Sequence, residues 1–195
     1  MENTVKSTII FRTAKTKTIA AIGAVAAAVA LPQLLHVIGR VSGMGSALGE
    51  AFLPMHIAIL LAGLLSGGTV GFISGALAPL ISFALTGMPS VYMLPFMMIE
   101  LAFYGLICGL LANKNMPTIA KLLIAQIGGR AVRAVFIVGA FYLLGSKIAP
   151  SVIFTSIAAG LPGLILQWTL IPLMIFYINT KSQNGESPQT IRSRH

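Results

Sequence analysis

The stretch KLLIAQIGGRAVRAVFIVGAFYLLGSK, residues 121–147, decides the fold. Its uninterrupted apolar part, residues 134–146, amounts to about 20 Å of helix, short of the ~30 Å hydrocarbon core of a bilayer. To span, the helix must reach back through Arg133 and Arg130, which places two guanidinium groups inside the membrane. With this segment included, the apolar segments of the chain number six.

Composition supports that reading. Of 195 residues, 56% are hydrophobic and only 9% charged, against roughly 25% charged in soluble domains. The formal net charge is +9, yet so apolar a chain has too little polar surface for a phosphate-reading domain, and no nucleic-acid partner is expected. The single cysteine, Cys108, excludes an internal disulfide and any metal site built on several thiolates. The apolar segments are continuous where a membrane barrel would alternate with period two. The expected class is an all-α integral membrane protein with six transmembrane helices.

Residues 1–17 form a polar, basic head, residues 18–178 one membrane domain and residues 179–195 a polar tail. The spans fall at about 18–38, 51–65, 69–85 and 91–111, then the arginine-bearing segment, then 151–178, which is long and interrupted by Pro162 and Pro172. Ala28-Val29-Ala30 after a basic start also fits a secretory cleavage pattern. Apolar character continues past it to Ile38, so the segment is read as a retained span. Residues 39–50 are glycine-rich and polar and form a candidate lid. Lys6, Arg12, Lys15, Lys17, Lys114, Lys121, Lys181, Arg192 and Arg194 fall on one side of such a bundle, and Arg40 and Lys147 on the other. By the positive-inside rule both termini are cytoplasmic, and the lid faces outward.

Glu100, Arg130, Arg133, Gln167 and Trp168 all fall near mid-span. Ionisable groups in hydrocarbon are costly and face protein or water, so they mark a functional site or an internal ion pair. Gln126, Arg130 and Arg133 share one helical face. One reading is purely structural: Glu100 bridges one arginine while Arg130 snorkels to the cytoplasmic interface. In the other, one carboxylate against two guanidinium groups leaves an excess of +1, which an anionic carboxylate solute would satisfy, with Arg133 as anchor. Tyr92, Tyr104 and Trp168 are candidate pocket walls, and His56 a candidate polar contact. No second His or Cys stands at ligand spacing from His56, so no metal and no cofactor is expected.

The chain carries no Gly-x-Ser-x-Gly elbow, no His-Glu-x-x-His and no phosphate loop, so it is not expected to be an enzyme or to hydrolyse ATP. Glu100 alone could relay protons in a small secondary carrier. A membrane-embedded enzyme with an unfamiliar catalytic set is a third possibility. Ala20, Ala24 and Ala28 recur every four residues in the first span, a smooth strip on which another helix, of this chain or another, can pack closely.

Several further segments stand out: Phe52-Leu53-Pro54-Met55-His56-Ile57 leading into Leu61-Ala62-Gly63-Leu64-Leu65, Pro79-Leu80-Ile81-Ser82, Leu85-Thr86-Gly87-Met88-Pro89, and Ile99-Glu100-Leu101 followed by Tyr104-Gly105. Taken with the basic head and the alanine strip, they resemble the substrate-binding S component of an energy-coupling factor (ECF) vitamin transporter. The resemblance covers about residues 15–178. It implies a bacterial plasma-membrane subunit, embedded in lipid, that captures a small-molecule vitamin from outside behind a gating loop. It further implies docking, through the alanine strip, to a transmembrane coupling (T) subunit driven by two cytosolic ATPase subunits. The Pro54-Met55-His56 and Thr86-Gly87-Met88-Pro89 segments are most similar to pantothenate-type members. A pyrimidine or pyridine vitamin precursor, or cobalamin, are the other substrates the family suggests.

Overall fold

A computed structural model describes residues 13–44 and 47–185, and every described element is helical. The helices are α1 (Ala14–Val41), α2 (Ala47–Phe52), α3 (Pro54–Ser66), α4 (Gly68–Thr86), α5 (Leu94–Leu111), α6 (Thr118–Leu144), α7 (Val152–Ala159) and α8 (Leu161–Gly185). Five are long and apolar enough to cross a membrane: α1, α4, α5, α6 and α8 as far as Ile178. The chain is therefore a multi-pass, all-α membrane protein. The second apolar segment is the exception: α3 has 13 residues, about 20 Å of helix.

Local chemistry places the helix ends. The Thr13 hydroxyl accepts from Thr16 N at 3.3 Å to cap α1. Proline occupies the first turn of α3 and α5, where its missing N–H costs nothing. Gly87 and Gly145 close α4 and α6 with φ of 73° and 64°, the left-handed region open to glycine. Gly67, with φ 95°, makes the sharp reversal between α3 and α4. Lys121, expected in a solvated connection, is buried instead, and its Nζ donates to Ala112 O at 2.7 Å at the end of α5. A lysine there meets helix carbonyls that lack intrahelical partners.

Helix α5 is the centre of the bundle, packed on α3, α4 and α6. Its contact with α4 is backbone on backbone. A Cβ at Gly71 would collide with the carbonyl of Gly105, and one at Gly105 with the carbonyl of Gly71. Gly75 lies against Leu101 O and Gly109 against Gly68 N in the same way. Close approach of this kind is how small residues drive helix association in lipid.

Several boundaries differ from the sequence reading. The long final segment breaks at Gly160, dividing α7 from α8; Pro162 falls in the first turn of α8, and Pro172 is accommodated inside it. Helix α8 continues to Gly185, so the tail is helical at its start. Most of the expected lid is helix, divided between the end of α1 and α2, while Gly45 and Ser46 lie outside the described residues. So do Lys6, Arg12, Arg192 and Arg194.

Helix α1 is continuous through Ala28-Val29-Ala30 and rests on α2, α3 and α4. Ala28 is fully buried in the core, and Ala20 and Ala24 are half-buried. The alanine strip thus meets the core of this same chain at Ala28, near the middle of α1. Ala28→Leu should overpack this contact and destabilise the fold by ~1–3 kcal/mol, whereas Ala24→Leu should cost less. Thermal unfolding of the two variants in detergent checks the order.

Candidate functional site

The arginines of the deciding stretch lie together on α6, an unbroken helix of 27 residues. Gly129 brings that helix close to α5: a Cβ there would collide with the Tyr104 ring. The approach lets both arginines reach one carboxylate. Arg133 Nη1 donates to Glu100 Oε2 at 2.9 Å, and Arg130 Nε lies 3.5 Å from Oε1. Arg130 Nε also donates to the Tyr104 hydroxyl, which donates in turn to Glu100 Oε1, both at 2.9 Å.

Glu100 is 1% exposed. A carboxylate so deeply buried survives only with partners, and here it has three. The charge arithmetic of the sequence holds: one carboxylate faces two guanidinium groups. Arg130 points into this network, so it does not act as a cytoplasmic snorkel. Arg133 spends Nη1 on Glu100, and its Nε is buried without a partner among the described residues. The edge formed by Nε and Nη2 is the fork that meets a second carboxylate side-on.

Beside this network opens a cavity of about 630 Å³, within the range that takes small ligands. Glu100, Arg130 and Arg133 lie in its wall, and His56 joins them from α3. The His56 ring stands edge-on to Tyr104, with centroids 5.5 Å apart. The kink between α2 and α3 positions it: Leu53 adopts φ 47°, ψ 49°, a left-handed conformation costly for leucine. The backbone of Ala51 and Phe52 is held there against Gly163 of α8, where a side chain would not fit. From α1, Gln33 and His36 face the same space, and from α7, Thr155 and Ser156.

The walls are not the ones the sequence suggested. Tyr104 is buried and donates to Glu100, and Tyr92 is exposed, with Lys147 Nζ 5.3 Å from its ring centre; neither is among the cavity-lining residues. Gln167 and Trp168 belong to a separate buried cluster. Gln126 Nε2 donates to Gln167 Oε1 at 2.8 Å, and Trp168 Nε1 to Gln126 Oε1 at 2.7 Å. This cluster ties α6 to α8 about one to two turns before the arginines, so these two residues brace the bundle outside the cavity. The lining that takes the place of aromatic rings is methionine: Met55, Met88, Met93 and Met97. Met93, Met97 and Glu100 follow i, i+4, i+7 spacing from the N-cap of α5 onward, a signal present in the sequence. Gln33 and His36 were equally visible as polar residues in an otherwise apolar span.

Comparison of the chain with family models, with curated proteins and with solved structures finds no match.

Proposed function

We propose that this chain captures a small carboxylate solute in the membrane as the S component of an ECF-type vitamin importer, with pantothenate its best candidate ligand. The observation that carries the reading is the Glu100–Arg133 pair in the wall of the cavity, with the side-on edge of the guanidinium left over. In this reading α3 is a short sixth span and both termini are cytoplasmic. The cavity then opens outward. Energy comes from a coupling subunit and two ATPases, since the chain carries no nucleotide-binding motif.

The proton-carrier alternative is weakened by the partners of Glu100. Both of its oxygens are already engaged within the chain, Oε2 by Arg133 and Oε1 by the Tyr104 hydroxyl and Arg130, as befits a fixed internal counter-ion.

Reconstitution in liposomes separates the two. The purified chain should bind pantothenate but not concentrate it, with or without a proton gradient. Gradient-driven accumulation that disappears in Glu100→Gln would overturn the capture reading in favour of a carrier.

A further inference from the structure

Three side chains around the cavity carry a buried polar atom with no partner among the described residues: Gln33 Nε2 on α1, His56 Nδ1 on α3 and Arg133 Nε on α6. Leaving a buried donor or acceptor unmet is costly, and such atoms gathered on one cavity mark what a ligand must supply. They are not side by side. Helix α1 rests on α2, α3 and α4, whereas α6 rests on α5 and α8, so Gln33 and Arg133 approach the cavity from different sides. His56 belongs with Arg133, being joined to the Glu100 network through the Tyr104 ring.

The space between is lined by thioethers, with no Phe, Tyr or Trp among the described lining residues. Methionine conforms to varied shapes and imposes little orientation, so orientation must come from the polar ends.

We propose that the ligand is a two-ended aliphatic carboxylate, with its carboxylate on the Arg133 edge and a hydroxyl-bearing far end on Gln33. The proposal rests on the capture reading and adds what that reading lacks, the second recognition point. A hydroxyl suits Gln33 because the amide can turn over to present either its donor or its acceptor, and a hydroxyl answers both. A plain alkyl end would leave the Gln33 amide unmet.

The test measures dissociation constants for two probes on the full chain in detergent. One is pantothenate; the other is N-(3,3-dimethylbutanoyl)-β-alanine, which keeps the carboxylate and amide but lacks both hydroxyls. Native protein should prefer pantothenate by roughly tenfold or more. Gln33→Met, close in volume, should bind the two probes about equally, with affinity for the deoxy probe changed less than about threefold. Arg133→Ala should weaken both by roughly 30-fold or more. The comparison of probes on native protein needs no variant to fold.

Equal affinities in native protein, or a preference that survives Gln33→Met, would overturn the two-ended ligand while leaving Arg133-dependent capture intact. If neither probe binds in an Arg133-dependent way, the capture reading falls, and this inference with it.

Discussion

Gly105→Leu should leave no folded, monodisperse protein. A Cβ at Gly105 collides with Gly71 backbone atoms, and a Cβ at Gly71 with those of Gly105, so neither neighbour is a side chain that can swing away. The two helices would have to separate along the central packing of the bundle. That forfeits the close contacts at Gly75 and Gly109 on the same interface, and the loss should exceed ~4 kcal/mol, enough to unfold a marginal protein. Gly105→Ala should already lower the unfolding midpoint markedly. Gly139 on α6 is the control: it has nothing within 4 Å of a built Cβ, so Gly139→Ala should be neutral or slightly stabilising through helix propensity. Size-exclusion profiles in detergent distinguish these outcomes. A monodisperse Gly105→Leu protein would show that α4 and α5 do not cross this closely.

Arg133→Ala should remove ~2–5 kcal/mol of carboxylate binding, because the ligand charge would enter a water-poor cavity without its partner. The fold should tolerate the change: Glu100 retains the Tyr104 hydroxyl and Arg130 nearby. Glu100→Ala is the harsher variant, since it leaves two guanidinium groups uncompensated. Arg133→Lys should recover only part of the affinity, because an ammonium lacks the planar fork. Titrating pantothenate and its carboxyl amide against native and Ala proteins closes a double-mutant cycle. Strong coupling places the carboxylate on Arg133. Additive losses would mean that the two groups do not meet.

The bundle was largely legible because apolar run length reports spans directly, and because the shortfall after Arg133 forces the arginines into the helix. Glu100, Arg130 and Arg133 meet because mid-span charges must find each other in a low-dielectric interior, and Tyr104, read from the sequence as a pocket wall, joins them through its hydroxyl. Gln167 and Trp168, expected at the same depth, bond instead to Gln126, about one to two turns of α6 away from the arginines. The neighbours of a polar side chain depend on helix register and rotation, which a single sequence does not give. The α4–α5 contact had a readable sign in Gly67, Gly71 and Gly75 against Gly105 and Gly109, all at four-residue spacing. The Ala20, Ala24, Ala28 repeat has the same spacing, and Ala28 is used inside the chain. The α2–α3 kink was not readable: a left-handed leucine is imposed by tertiary packing and has no local sequence signature.

Carboxylate capture is tested most directly by identifying what travels with the purified chain. Native and Arg133→Ala proteins, expressed identically and extracted in mild detergent, would be denatured and the released small molecules identified by mass spectrometry. A carboxylate-bearing solute present with the native chain and depleted in the Ala variant is the predicted result. A neutral or cationic solute, or a carboxylate retained equally by both proteins, would contradict the assignment of Arg133 as its anchor.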